Sequence, residues 1–364
     1  MIAPLVSENF RNFGAMKIVH VIFQMLTGGA ETMLVDIANE QTSRGHEVEI
    51  LIVNRGEDVN VVGALLPAVR VVRFNRKQGA APLLLMARLN LYMLLSRPYI
   101  VHLHLHKLTG LLRVMRSRTL FTVHDLNVPM TYAARSNMAA ISDAVADDVR
   151  SRVAGAKISV VTNGINTEAV RPRPAGGLHS PARIVQVSRL VSDKKGQDIL
   201  IEAVAILRGR GYEVEATFIG GGRDLKKLRR LAEAKGVADA VRFTGNMPRG
   251  EIYAQLADYD LMCHPARFEG FGLTVAEGMA AGLPLVVPQG GGPWEVADCG
   301  RLCETFDNGD ALSCADAIAR VLDNYDKALN LAVSAREHVE AKYSVKRMVT
   351  DYEAIYRRLL GARN

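Results

Sequence analysis

The stretch HPARFEGFGLTVAEGMAAGLPLVVPQGGGPWEVADCG, residues 264–300, decides how the rest of the chain is read. Two carboxylates, Glu269 and Glu277, stand eight residues apart, with a glycine-rich turn between them that feeds a helix. Ala281-Gly282 ends that helix, because glycine takes the left-handed conformation past the last turn without a Cβ penalty. Leu285–Val287 reads as a short buried strand and Gly290–Gly292 as a second open turn. The first amides of a helix lack intrahelical acceptors and carry the positive end of its dipole, so small residues leading into one make a phosphate site. An acid on either side suits a ligand with a diphosphate in the middle and a hydroxyl-rich ring at each end, as in a nucleotide sugar. Taken alone, the two acids read more simply as a solvated loop carboxylate and a surface helix carboxylate.

Working outward, strands and helices alternate in both halves. Residues 17–23 (KIVHVIF) read as a buried strand and 24–29 as a loop ending in Gly28-Gly29. A helix over 30–43 follows, with Met33, Leu34, Ile37 and Ala38 on one face, and then a strand over 48–53. Glycines at that strand-to-helix turn let a ligand approach the backbone, but G-x-G-x-x-G is absent, so no dinucleotide fingerprint is supported. Further strands are expected at 69–73, 100–105, 119–123, 139–141 and 157–161, with Ser142 capping a helix over 143–152. Pro82–Ser96 (PLLLMARLNLYMLLS) is a very apolar helix, expected to be buried, with a place in a membrane interface as the alternative.

Residues 171–181 (RPRPAGGLHSP) have no periodicity and form the linker. Beyond it come a strand at 183–187, Arg189, Lys194-Lys195-Gly196, a helix at 197–207 and a strand at 213–219. Gly220–Gly222 open a helix over 223–234; a strand at 241–244, a helix from Pro248 to 257 and a strand at 261–264 lead back to the opening stretch. Three helices, near 309–323, 327–341 and 344–360, finish the chain. This alternation implies an α/β protein of two doubly wound parallel sheets, with ligands at the carboxyl ends of the strands and a cleft between the domains. The domains are expected at 16–174 and 181–343, followed by a helical segment at 344–364.

A chain of 364 residues suits two domains, and 49% hydrophobic with 23% charged residues is ordinary for a globular protein. Residues 1–15 carry no signal-peptide pattern and read as a loose extension, and no apolar run is long enough to span a membrane. The expected location is cytoplasmic, peripheral at the inner face of the membrane if the basic region is used. Cys263, Cys299, Cys303 and Cys314 lack paired metal spacing and are expected to be reduced, buried thiols. The formal net charge is +7, and residues 59–124 contain ten Lys and Arg but no Asp or Glu. That block is expected to form a basic face that draws anionic partners, against the plainer reading of scattered surface charge. Nucleic acid is not expected, since aromatic platforms are not interleaved with the cations.

His102, His104 and His106 alternate, which places them on one strand face, yet carboxylate or thiolate ligands at standard spacing are missing and no metal is expected there. Asp258-Tyr259-Asp260 spells D-x-D across a helix end and a strand start, and is likewise not expected to hold a metal. His124 differs, because it stands just past an apolar strand where open sheets place ligands. Arg189 and Lys195, the tri-glycine turn and the helix entered at Gly272 all suit one diphosphate, whose growing charge the two cations would neutralise. Lys194 competes with Lys195, which is preferred because it abuts Gly196 at the helix start.

These pieces resemble the retaining glycosyltransferases of family 4, which adopt the two-domain GT-B fold. The matching segments are GGAE (28–31), RGHEV (44–48), VHLH (101–104), TVHD (122–125), NGI (163–165), SRLVSDKKG (188–196), FIGGG (218–222) and EGFGLTVAEGMAAGLPLV (269–286), the last being the most specific. The resemblance implies that Glu269 contacts the donor sugar hydroxyls, Glu277 holds the ribose, and Arg189 and Lys195 hold the diphosphate. It places His124 beside the sugar and puts phosphate-cradling amides in Gly28-Gly29 and Gly270, Phe271, Gly272, Leu273 and Thr274, with Gly221 in the same donor pocket. The base would be read near Asn246-Met247, and the last helix would cross back onto the first domain. Two lysines stand where many members have one, and Pro293-Trp294 replaces a position that is commonly aliphatic.

The activity implied is transfer of a hexose or N-acetylhexosamine, with retention and without a metal or other cofactor. The donor is a nucleotide diphosphate sugar, UDP-sugar favoured, and the acceptor a glycan or lipid-linked acceptor of surface polysaccharide or lipopolysaccharide synthesis. Front-face attack assisted by the leaving phosphate is the implied route, so Glu269 is not assigned as a nucleophile. Other enzymes of this fold, such as a nucleotide-sugar epimerase or a phosphorylase, fit the Glu269/Glu277 spacing less well. A non-catalytic nucleotide-sugar-binding protein has no need of Glu269, Lys195 and His124 together.

Overall fold

In the computed structural model, residues 14–26, 28–77, 82–134 and 136–361 are described. The expected loose extension at 1–15 lies outside them, apart from its last two residues. The first sheet has seven strands: β1 (Lys17–Ile22), β2 (Glu47–Asn54), β3 (Arg70–Arg76), β4 (Ile100–Leu103), β5 (Thr119–Val123), β6 (Asn137–Ala140) and β7 (Ile158–Val160), in the order β3-β2-β1-β4-β5-β6-β7. In β1 and β2 nearly every residue is buried, whichever face it points to. Helices cover both faces of a parallel sheet, and its strands therefore read as continuous apolar runs. Register is parallel, with Val21 opposite Leu51 on one side and His20 opposite His102 on the other. The helices here are α1 (Gly29–Ser43), α2 (Val59–Gly63), α3 (Pro82–Ser96), α4 (His106–Leu111) and α5 (Asp143–Arg152), the last capped by Ser142 Oγ on the Val145 amide at 3.2 Å.

Two expectations about this region are corrected. His106 does not share a strand face with His102 and His104, because β4 stops at Leu103 and His106 already opens α4. The apolar helix α3 is not buried all round. Leu85, Leu89 and Met93 face the core, whereas Leu83, Leu84 and Leu95 are more than 70% exposed.

The second sheet contains β8 (Ala182–Val187), β9 (Val214–Ile219), β10 (Val241–Gly245), β11 (Leu261–Cys263), β12 (Leu285–Pro288) and β13 (Glu304–Phe306), in the order β10-β9-β8-β11-β12-β13. The order reverses direction between β8 and β11, which is the topological switch point where open α/β sheets bind ligands. Around it lie α6 (Ser192–Lys195), α7 (Gln197–Gly209), α8 (Leu225–Ala234), α9 (Arg249–Gln255), α10 (Leu273–Ala280), α11 (Gly291–Val296), α12 (Ala311–Asp323) and α13 (Tyr325–Lys342). Helix α8 starts two residues later than expected. The backbone after Gly220 is first drawn onto Leu190, whose carbonyl accepts from the Asp224 amide at 3.2 Å. Gly290–Gly292 is not wholly an open turn: after Gly290 the chain coils into α11, with Gly292 N–H bonded to the Glu269 carbonyl at 3.2 Å. Gly282 does close α10, at φ 72°.

Two compact units emerge. One comprises the chain up to Val123, Pro129–Ala139 and the chain from Val349; the other comprises His124–Val128 and Ala140–Met348. The last helix, α14 (Val345–Gly361), thus begins in the second unit and packs the rest of its length in the first. There Tyr352 and Tyr356 are fully buried. The four cysteines are free; Cys263, Cys303 and Cys314 are buried as expected, and Cys299 is exposed.

Candidate active site

The loops after β8 and β11 straddle the switch point of the second sheet, and they are locked to each other. Gly196, at φ 67°, closes α6 so tightly on Pro265 that a Cβ there would run into the Pro265 carbonyl. The Arg267 amide bonds the Lys194 carbonyl at 2.9 Å, and the Arg267 guanidinium grips Asp198 through two bonds of 2.9 and 2.8 Å. Two buried amides hold the first loop from beneath. Gln186 Nε2 donates to the Lys195 carbonyl and Gln197 Nε2 to the Arg189 carbonyl, each at 2.8 Å.

This locking brings Lys195 Nζ onto Glu269 Oε2 as an ion pair. His264 Nε2 is 3.5 Å from the same carboxylate, and its Nδ1 is 3.2 Å from Thr274 Oγ1. Burial alone would raise the Glu269 carboxyl. The His264 ring and the Lys195 charge overcome that and hold it at about 2, so Glu269 is an anion at any physiological pH. Beside it, Lys194 Nζ pairs with Asp125 Oδ2 at 2.7 Å. Asp125 follows His124, which is half-buried; desolvation lowers that imidazole to about 4 against the opposing pull of Asp125, so His124 is neutral.

The Glu269–Thr274 turn is fixed from three sides. Ser142 Oγ donates to the Gly270 carbonyl at 2.7 Å, Gly292 leaves no room for a Cβ against Phe271, and Gly272 enters α10 at φ 99° with Pro293 3.1 Å from where its Cβ would be. The amides of Leu273 and Thr274 meet no acceptor among the described residues. On the inner side of α10, Glu277 is buried; Tyr253 donates its hydroxyl to Glu277 Oε1 at 2.9 Å, and Arg249 lies 3.7 Å from the same oxygen.

At the end of β9, Gly220 and Gly222 pack on the Ser188–Leu190 backbone with no space for side chains, and the Leu190 amide bonds the Gly221 carbonyl at 2.9 Å. Asn246 Oδ1 accepts from the Gly221 amide at 2.7 Å, with Met247 next in the chain after β10. Arg189 is exposed, and its guanidinium has no acceptor among the described residues. The second unit thus gathers His124, Arg189, Lys195, Gly221, Asn246, Glu269, Gly270–Thr274 and Glu277. Gly28 and Gly29 belong to the first unit, where Gly28 precedes α1 in extended conformation and a Cβ on it would meet the Glu31 carboxylate.

The candidate metal motifs are otherwise engaged. Asp260 lies at the opposite, amino end of β11, where Arg173, His179 and the Arg183 amide bond its carboxylate; Asp258 pairs with Arg171. In the first unit His20, His102 and His104 are close enough to share an ion, but His20 bonds Gln41 and His104, and His102 bonds Tyr356 and Thr122.

The family profile "Glycosyltransferase Family 4" matches residues 27–169 and the profile "Glycosyl transferases group 1" matches residues 173–338. The GDP-mannose-dependent alpha-(1-6)-phosphatidylinositol monomannoside mannosyltransferase of Mycobacterium tuberculosis is 32% identical over 263 residues, 65% of this chain and 67% of that one. The chain belongs to glycosyltransferase family 4. Solved structures place it in the GT-B fold. A glycosyltransferase from Rickettsia africae aligns with TM-score 0.78 at 18% identity, over 96% of this chain and 99% of that one. Anabaena HepE in complex with UDP and glucose aligns with TM-score 0.77 at 21% identity, over 93% and 99%.

As a family 4 glycosyltransferase, the chain displays features that motif spacing alone had left out. His264 opens the deciding stretch but carries no motif signal for its place beside Glu269. The Lys194–Asp125 pair joins positions 69 residues apart, so no local pattern announces it. Tyr253 lies on α9, four residues from Arg249, and only the fold shows that both reach Glu277. The buried Gln186 and Gln197 offered one signal: polar residues in apolar runs need partners.

Proposed function

We propose that this glycosyltransferase moves a hexosyl group, with retention of configuration and without a metal, from a nucleotide diphosphate sugar to a glycan or lipid-linked acceptor of surface polysaccharide synthesis. The observation that supports it best is the paired loops at the switch point. They set an anionic Glu269 against Lys195, next to α10 amides that meet no acceptor among the described residues and to an exposed Arg189. In this reading Arg189, Lys195 and the α10 amides take the diphosphate. Charge on the departing phosphate would then meet fixed cations and dipoles that need no reorganisation. Glu269, relieved of part of its bond to Lys195, turns to the sugar hydroxyls, and Glu277 takes the ribose. Attack comes from the face the phosphate leaves, with the phosphate as base. A neutral His124 beside the sugar contributes a hydrogen bond and no added charge.

Two bases are in view. The relative at 32% identity is named for GDP-mannose, whereas the structure named for UDP is 21% identical and speaks for the fold. GDP-mannose is therefore placed ahead of the UDP-sugars that resemblance alone favoured. A panel of GDP, UDP and ADP and their sugars, read by thermal shift and product formation, tests this. GDP and GDP-mannose should stabilise the protein most, and if no nucleotide diphosphate raises its melting temperature the donor reading fails. Glu269→Ala and Lys195→Ala should each lower turnover at least about a hundredfold while the protein stays folded by circular dichroism.

A further inference from the structure

Among the described residues, helix α3 presents a row of exposed leucines. Its inward row, Leu85, Leu89 and Met93, anchors it to the first unit. On its outward side Leu83, Leu84, Leu91, Leu94 and Leu95 are 71, 74, 56, 53 and 74% exposed. At the angular step of an α-helix these five leucines and Ala87 fall within an arc of about 120°. A cation on the rim, Arg88, is turned away, bonded to the Phe74 carbonyl at 2.9 Å and stacked over the Phe74 ring. The helix has 15 residues, about 22 Å, which is shorter than a bilayer core, and no described helix is long and apolar enough to cross a membrane.

The surroundings are positive. Arg97 follows the helix end, Lys107 lies on the neighbouring α4, and Arg113 is held beside α3 by its amide bond to Asn90 Oδ1 at 2.6 Å. All three are exposed and form no ion pair among the described residues. By contrast, Arg70 and Arg73 on β3 are neutralised by Glu49 and Glu57. No acid occurs anywhere in residues 59–124. We propose that α3 is a membrane-docking helix that lies in the plane of an anionic phospholipid leaflet, its leucines among the upper acyl chains and Arg97, Lys107 and Arg113 on the headgroup phosphates. A second copy of this chain is the poorer occupant, because a two-fold pairing through this face would set these cations against their own copies.

The inference is independent of donor and acceptor, and its test reads partitioning rather than turnover. Flotation of the full chain with phosphatidylcholine vesicles containing phosphatidylglycerol, at low salt, should recover the protein in the lipid fraction. Each cation near such a surface strengthens binding about fivefold. Arg97→Gln with Lys107→Gln and Arg113→Gln should therefore weaken it roughly a hundredfold and leave binding to pure phosphatidylcholine unchanged. Leu84→Gln with Leu91→Gln and Leu95→Gln, all exposed positions, should cost at least about tenfold at unaltered melting temperature. As a readout that needs no loss of binding, Leu91→Trp should shift its emission to the blue on adding anionic vesicles, over the fixed background of Trp294. The proposal is overturned if the wild-type chain stays out of the lipid fraction at low salt or if Trp at 91 shows no shift. It falls equally if the chain sediments as a dimer that the leucine variant dissociates while vesicle binding is unchanged.

Discussion

At the scale of single residues, Gly196 sets the distance between two charged groups without carrying a side chain of its own. Its φ of 67° is one that alanine resists, and its missing Cβ is the space the Pro265 carbonyl occupies. The adjacent Lys195 carries the charge that reaches Glu269, so a shift of a few tenths of an ångström at Gly196 propagates directly into that pair. Gly196→Ala should therefore cost about 1–3 kcal/mol of stability from backbone strain and overpacking. It should also cost roughly a hundredfold in kcat/KM, since small misplacements of positioned groups are that expensive. Urea unfolding and steady-state kinetics measure the two effects separately; a variant that loses stability alone would show that Lys195 and Glu269 can be repositioned independently of this turn. Glu269, Glu277 and the glycines around them were legible from spacing. His264, Tyr253 and Arg249 were not, because what qualifies them is proximity across strands and not a pattern along one.

At the scale of elements, period and punctuation located most strands and helices, and the errors have physical causes. Helix α3 was expected to be buried because it is apolar nearly all round, but burial is decided by what packs on each face. Composition alone does not report that. Short pieces such as α2 and β13 went unread, because five or three residues are too few to display a period. His102, His104 and His106 were read as one strand face; the structure instead joins His102 and His104 to His20 of β1 in a buried network that ties α1 to the sheet. Gln41 Nε2 donates to Tyr356, so Gln41 Oε1 accepts from His20 Nε2–H and leaves His20 Nδ1 to accept from His104. Protonating His20 would place two N–H groups face to face in a fully buried site, and burial accordingly lowers this imidazole to about 4. Its depressed value means the stabilisation is complete above the unfolded value of about 6.5 and is lost as pH falls toward 4. Unfolding free energy should drop by roughly 2 kcal/mol between pH 7 and pH 5 from this group. Urea titrations at both values check it, and His20→Gln should lack that slope whatever its starting stability.

At the scale of the whole molecule, the chain's last helix completes a core begun at its first strand. Tyr356 Oη bonds His102 Nδ1 at 2.7 Å across 254 residues of sequence, and it accepts from Gln41 Nε2 at 3.3 Å. Tyr352 meets Thr122 at 3.2 Å, and Glu353 bridges His46 and Arg44 at 3.2 and 3.4 Å. The apolar stripe of this helix was visible in the sequence, and the family resemblance said where it would go. What was hidden is that its polar atoms close a buried network that already holds three histidines. A network of this kind stands or falls with its last member, because each buried group left without a partner costs the full desolvation of that group. The first unit therefore cannot reach its final stability until the end of the chain has arrived, however early its strands are made. Tyr356→Phe keeps the ring packing and removes only the hydroxyl that His102 and Gln41 share, and should cost about 1–3 kcal/mol. A chain ending at Tyr343 should leave β1, β4 and β5 open to protease while the second sheet stays resistant. Limited proteolysis followed by mass mapping distinguishes this from uniform loosening, and cleavage spread evenly over both sheets would show that α14 is dispensable for the first unit in particular.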